Sequence, residues 1–346
     1  MMGGLDERLA NYLTRHMGRP VRVDSLDRIP VGASRETYRF VMRTVGETGP
    51  TSRRMILRLD PPASLIETDR RTEYAAIRAF HGSDVPVPEL LMVEENPDAL
   101  GASFIVMQEI EGGEAAPYKL MEPPYEANLA ATGRRKWSIL GSIAKTDPAA
   151  CGLDRILPPV AADDCWREEL QRWETVLDAD ELEPQPIQRA AIRWMKRNPP
   201  PPAQRISVVH GDYRTGNLLV NDRGAIIGVL DWEMAHLGDP LEDLAWSINR
   251  VWCFRKDERR GGMLPKDEAI AIWEEASGLT VDADALRWWE LLACLKGQAI
   301  WISATKEYQT GATRDPLMAL TGWMQVNSQD RATLELMGHL SHGVSK

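Results

Sequence analysis

Apolar residues at Leu5, Leu9, Leu13 and Met17 recur at one-turn spacing and stop before Gly18, which predicts an amphipathic helix ended by a glycine. The period then shortens. Residues 21–29 alternate imperfectly with charges, and residues 36–45 are rich in β-formers. In RMILRLD, residues 54–60, Met55, Leu57 and Leu59 fall on one side and Ile56 and Arg58 on the other, as a strand requires. A helix is expected from Ser64, with Glu67 completing a capping box. Its stripe is Ala76, Ile77 and Phe80, and Glu73 lies one turn before Ile77 on the flank of that stripe. Two more strands, near residues 91–94 and 103–109, are joined by a polar turn at Asn96-Pro97-Asp98, and FIVMQEIEGG runs from the second into Gly112-Gly113.

After Gly113 the pattern turns helical. Residues 134–145 carry Trp137, Leu140, Ile143 and Ala144, residues 163–183 carry Trp166, Leu170, Trp173 and Leu177, and residues 187–197 form a third helix. Asn198 and the four prolines after it cannot continue that helix and make a stiff connector. Helical stripes return from Trp246 to about Gly338. The chain is therefore read as α+β, with a sheet-rich part at residues 1–111, a larger mainly helical part at residues 112–346, and Gly112-Gly113 as the joint.

At 346 residues the chain is long enough for one large or two modest domains, and 43% hydrophobic with 27% charged residues is ordinary for a soluble globular protein. The net charge of −10 argues against a nucleic-acid backbone as partner, because that binding needs clustered Lys and Arg. Cys151, Cys165, Cys253 and Cys294 form no CxxC pair, so they are read as reduced thiols of a cytoplasmic protein rather than zinc ligands or a disulfide framework. The opening MMGGLDERLANYL lacks the basic start and apolar block of a signal peptide, and no stretch approaches eighteen uninterrupted apolar residues, so no membrane partner is expected.

The chemistry concentrates in residues 208–243, VVHGDYRTGNLLVNDRGAIIGVLDWEMAHLGDPLED. His210, Asp212 and Asn217 sit between the short apolar runs Val208-Val209 and Leu218-Leu219-Val220, and a further run from Ile226 to Leu230 delivers Asp231. Two carboxylates and an amide carbonyl at strand edges suit a divalent cation beside a hydroxyl group. Mg²⁺ prefers oxygen ligands and needs only one or two carboxylates when nucleotide phosphates supply the rest. Phosphoryl transfer and metal-dependent hydrolysis both fit this set. No second group of His or Asp ligands is apparent, which favours transfer.

HGDYRTGN, followed by DWE with Asp231 fourteen residues after Asn217, resembles the catalytic and metal-binding signature of the aminoglycoside phosphotransferase family. VGASRETY, ILRLDPP and FIVMQEIEG are similar to its branch related to kinase-like domains of acyl-CoA dehydrogenase family proteins. The resemblance implies a protein-kinase-like two-lobed fold, with an antiparallel sheet and a helix in the N-terminal lobe and a larger helical C-terminal lobe. It implies ATP or GTP with Mg²⁺ as cofactors, a small-molecule alcohol as acceptor and ATP-dependent transfer of the γ-phosphoryl group. A hydroxyacyl thioester is one acceptor that this branch suggests, an aminoglycoside-like alcohol another. By the same resemblance Asp212 is the base, and Asn217 and Asp231 hold Mg²⁺. The turn with Gly32, Ala33 and Ser34 covers phosphates, and Arg58 replaces the usual lysine with Glu73 as its partner. Gln108, Glu109 and Ile110 offer main-chain groups to the base of the nucleotide. His210 is read as an anchor of the loop, Asp239 as a cap, and Asp243 as a support of the catalytic loop. The alternative is a catalytically silent nucleotide-binding module of the same fold; the oligomeric state is not legible.

Overall fold

The computed structural model describes residues 4–29, 36–46, 49–59, 70–253 and 257–338. The turn with Gly32, Ala33 and Ser34, and the helix start at Ser64 and Glu67, lie outside the described residues. The chain forms two compact units, Met1–Glu111 and Gly112–Lys346.

In the first unit, helix α1 (Leu5–Met17) precedes strands β1 (Val21–Ile29), β2 (Glu36–Gly46) and β3 (Gly49–Leu59), helix α2 (Arg70–Phe80), and strands β4 (Leu90–Glu94) and β5 (Phe104–Gln108). The strands form one antiparallel sheet in the order β1-β2-β3-β5-β4. Period-2 alternation sends Met55, Leu57 and Leu59 of β3, with Phe104 and Val106 of β5, into a core shared with Leu9 and Leu13 of α1. Ile105 pairs with Arg58 across the ladder, and both belong to the alternate register from that core. Gly18, at φ 64°, ends α1 in the left-handed conformation expected of a glycine C-cap.

The second unit opens with a short helix α3 (Pro117–Leu120), followed by α4 (Leu129–Lys145), α5 (Cys165–Asp180) and α6 (Pro186–Arg197). Strands β6 (Ser207–Val209), β7 (Leu218–Val220), β8 (Ile226–Val229) and β9 (His236–Gly238) come next, then helix α7 (Leu241–Ile248), the hairpin β10 (Arg259–Arg260) and β11 (Leu264–Pro265), and helices α8 (Lys266–Ser277), α9 (Ala283–Thr310) and α10 (Pro316–Leu336). Two two-stranded antiparallel ladders, β6-β9 and β7-β8, carry the polar segment between them. The tryptophans at helical spacing are core: Trp137, Trp173, Trp246, Trp273, Trp288 and Trp289 are buried, whereas Trp323 is exposed. Helix α9 runs through this core, with sixteen of its residues buried, and so brings a lysine, Lys296, to full burial. No helix among the described residues is long and apolar enough to cross a membrane.

Candidate active site

The loop after β6 is built to hold one carboxylate. His210 follows Val209 and is fully buried, and burial pushes its imidazole down to about 4, so the ring is neutral at physiological pH. Its Nε2–H then donates to the Leu230 carbonyl at 2.9 Å, while Nδ1 accepts the Asp212 N–H at 3.2 Å. That tautomer stitches the loop to the end of β8. Asp243, on α7, accepts the N–H groups of His210 at 2.6 Å and Gly211 at 3.0 Å, the supporting role expected from sequence. Burial, with Glu242 beside it, raises the Asp243 carboxyl to about 7. Asp239 accepts the Leu241 N–H at 2.9 Å and so caps the start of α7.

Asp212 itself is partly exposed, and its carboxylate accepts from three directions: Trp246 Nε1 at 2.8 Å, Arg214 Nε at 3.1 Å to both oxygens, and Asn217 Nδ2 at 2.7 Å. Asn217 Nδ2 also donates to the Asp212 carbonyl at 2.8 Å. Both protons of that amide are thus committed to Asp212, which leaves Oδ1 as the atom Asn217 can offer a cation. The Leu230 N–H donates to the Asn217 carbonyl at 2.9 Å, so the ladder places Asp231 one residue beyond the cross-strand neighbour of Asn217. Asp231 adopts φ 63° and ψ 57°, a left-handed conformation uncommon outside glycine and tolerated by Asp, at the point where β8 ends. An amide and a carboxylate residue therefore stand at neighbouring positions where the ladder ends, and both are hard-oxygen donor types of the kind Mg²⁺ takes.

Gly211 has φ 82°, and a Cβ there would lie 2.5 Å from the Met234 carbonyl oxygen. Gly211→Ala is expected to cost about 2–3 kcal/mol through the positive φ and the backbone clash together. Urea denaturation checks this; a loss under about 0.5 kcal/mol would mean that the loop relaxes freely.

Beneath the loop lies a buried charge network that sequence reading missed. Lys296 Nζ donates to the Gly211 carbonyl and to Glu242 Oε1 at 3.2 Å, over the Trp246 ring at 5.0 Å. Glu242 also meets His236 Nε2 at 3.0 Å, and Glu169 approaches the same nitrogen at 3.6 Å. Burial alone would lower the His236 imidazole, but Glu242 and Glu169 override it and carry it up to about 9. Because the folded pKa exceeds the unfolded value of about 6.5, this stabilisation is complete below pH 6.5 and is lost as pH rises through about 9. The stability difference between the wild type and His236→Gln should therefore shrink by about 1–3 kcal/mol between pH 6 and 9.5, a comparison that leaves the other buried titrating groups, Lys136 among them, in common. An equal slope in the variant would remove His236 from the account. The only sequence signal for this network was Lys296, one charge inside the apolar run LLACLKGQAI.

In the first unit, Arg58 Nη1 lies 2.6 Å from Glu73 Oε1, the pairing that the resemblance implied. Glu73 is fully buried rather than on a flank, and the Arg58 side chain is 13% exposed. The partner of Arg58 is thus desolvated, and a buried carboxylate of this kind is retained only with a cation beside it. The amides of Gln108 and Glu109 already donate to the Glu89 and Arg54 carbonyls, at 2.8 and 3.0 Å, so these two residues can offer a ligand their carbonyl oxygens but not these N–H groups. The Glu109 side chain is not idle either: buried, it pairs with Arg39 and with Arg54 at 2.7 Å. Ile110 follows at the end of the strand.

Comparison with known proteins gives a consistent picture. A family model described as "Phosphotransferase enzyme family" matches residues 25–289. Acyl-CoA dehydrogenase family member 10 of Mus musculus is 27% identical over 251 residues, covering 70% of this chain and 22% of that protein. Member 11 of Rattus norvegicus is 28% identical over 243 residues, covering 66% of this chain and 30% of that protein. The chain thus spans under a third of either relative. Among solved structures, a Ralstonia eutropha protein assigned to the aminoglycoside phosphotransferases superposes with a TM-score of 0.74 at 21% identity, covering 96% of this chain and 98% of that one. A thermostable mutant of aminoglycoside phosphotransferase APH(4)-Ia, in ternary complex with AMP-PNP and hygromycin B, gives a TM-score of 0.59 at 16% identity and covers 97% and 99%. The kinase-like fold of these enzymes is the fold of this chain.

Proposed function

Because the chain belongs to the phosphotransferase enzyme family, we propose that it moves the γ-phosphoryl group of ATP to a hydroxyl group of a small molecule, with Asp212 as the base. The observation that carries this is the convergence of three donors on the Asp212 carboxylate, from Arg214 and Asn217 of its own loop and Trp246 of α7. They fix both oxygens without burying them, so a carboxylate is held ready for a hydroxyl proton.

In the step itself the acceptor oxygen attacks the γ-phosphorus, the bond from that phosphorus to the β–γ bridging oxygen breaks, and ADP departs with the electron pair. The hydroxyl proton passes to Asp212. Asn217 Oδ1 and Asp231 would hold Mg²⁺, which neutralises phosphate charge when bound. Arg58, with Glu73 holding it, would contact the α- and β-phosphates; Gly32, Ala33 and Ser34 would cover them; Gln108 and Glu109, through their carbonyl oxygens, and Ile110 would border the base. GTP is the alternative donor. The net charge of −10 suits a metabolite better than a nucleic acid as acceptor. The acceptor classes of this reading are an aminoglycoside-like alcohol, as hygromycin B is in the APH(4)-Ia complex, and a hydroxyacyl thioester.

The experiment is incubation of the protein with Mg²⁺, ATP and a metabolite extract, followed by mass spectrometry for a compound that gains one phosphoryl group. Phosphate released to water with no acceptor product would instead favour a hydrolase. Nucleotide binding without any turnover would favour the silent module.

A further inference from the structure

Around the loop that carries Asp212 the described residues of the second unit include three cationic side chains, Arg214, Arg260 and Lys136, with little carboxylate paired to them. The Arg214 guanidinium, with its Nε on Asp212, lies 5.1 Å over the Trp252 ring and keeps 29% of its side chain exposed. The next residue, Thr215, donates to the Gly261 carbonyl at 3.1 Å, and Arg260, one residue before Gly261, reaches back to Cys253 Sγ at 3.7 Å. Arg214 thus touches Trp252 and Arg260 touches the next residue, Cys253, while the Thr215-Gly261 bond ties together the two segments that carry these arginines. Lys136 of α4 completes the group, fully buried, with its Nζ 3.3 Å from Thr215 Oγ1.

The compensation is thin. Asp212 answers Arg214, but among the described residues the carboxylate that pairs with Arg260 is Glu258 at 4.0 Å, which is 77% exposed and is shared with Arg250. Among the described residues no carboxylate pairs with Lys136, and burial lowers its ammonium to about 7. Two buried N–H donors, Arg260 Nε and Trp252 Nε1, have no hydrogen-bond partner. Buried or half-buried cations are ordinarily retained with opposite charge beside them, and here the partners of Lys136 and of the Arg260 Nη1 are a hydroxyl and a thiol.

We propose that the acceptor alcohol carries an anionic group of its own, a carboxylate or phosphate close to the hydroxyl, which is seated by Arg214 and Arg260 beside Trp252 while the hydroxyl meets Asp212. Such an anion supplies the missing negative charge in one group, and an arginine fork suits its planar or tetrahedral oxygens. A polyamine would meet repulsion at the same place. The assignment of the hydroxyl to Asp212 rests on the proposed phosphotransfer; the anion seat does not.

The test uses the full chain and three alcohols with one skeleton: 3-hydroxypropanoate, propane-1,3-diol and 3-aminopropan-1-ol. Binding is followed by calorimetry without nucleotide, and turnover by ADP formation with Mg²⁺ and ATP. The carboxylate should bind at least about tenfold tighter than the other two, the size of one charge-assisted hydrogen bond. Arg260→Gln should shrink that ratio about tenfold, and Arg260→Lys should retain much of it. Preference in binding without turnover would support the seat while removing the phosphotransfer reading for these probes. Equal or undetectable binding of all three, a preference for the amine, or an Arg260→Gln effect confined to the KM for ATP would overturn the proposal. The last result would assign these cations to the triphosphate.

Discussion

Asp212→Asn is expected to lower kcat by about 10²–10⁴-fold while nucleotide affinity, read by calorimetry, stays within a few-fold. The reason lies in the donors around the carboxylate. Trp246 Nε1, Arg214 Nε and Asn217 Nδ2 all give protons to Asp212, so an amide in its place would turn its own NH₂ towards at least one of them. The substitution therefore removes the proton acceptor and also disturbs the alignment of Asn217, whose Oδ1 is the proposed cation ligand. Initial rates with an acceptor found by the metabolite screen provide the check. Full activity in the variant would exclude Asp212 as the base, whatever else the loop does.

Lys296→Met should be the most damaging change outside the site, at about 3 kcal/mol. The ammonium is almost completely buried, donates to the Gly211 carbonyl, and is one of two cations on Glu242. Removing it leaves Glu242 with His236 alone and leaves the Gly211 carbonyl without this donor. Because that carbonyl precedes Asp212 in the chain, the rate should fall together with stability, which a purely distant packing defect would not require. Pairing the change with Glu242→Gln should recover part of the loss, since the double variant no longer strands a buried charge. Denaturation of the two single variants and the double variant measures the coupling; simple additivity would mean that the two side chains do not act as a unit.

How much of this was legible beforehand depended on the range of the interaction. The stripe Leu5, Leu9, Leu13 fixed α1, and the alternation in RMILRLD fixed both the strand and the opposite facing of Leu57 and Arg58, because these patterns are the local geometry itself. The buried pairing of Arg58 with Glu73 was harder to see. Nothing in the sequence near Glu73 distinguishes a core carboxylate from a surface one, and its burial follows only from where α2 rests. Gln108 and Glu109 illustrate the same limit, since main-chain groups look alike in sequence and only strand pairing reveals that their amides are already engaged.

The sequence by itself determined the type of the long elements, the change from sheet to helix near Gly112, and the grouping of His210, Asp212, Asn217 and Asp231, for these depend on period and on residues within about twenty positions of one another. The short α3, β9 and the β10-β11 hairpin carried no such signal. The tertiary structure alone decided what holds that grouping in place: the neutral tautomer of His210, the Trp246 and Arg214 bonds to Asp212, and the Lys296-Glu242-His236 network under Gly211. Each of these joins groups whose meeting is set by packing, and the cost of burying a charge or a donor becomes visible only when its neighbours are known.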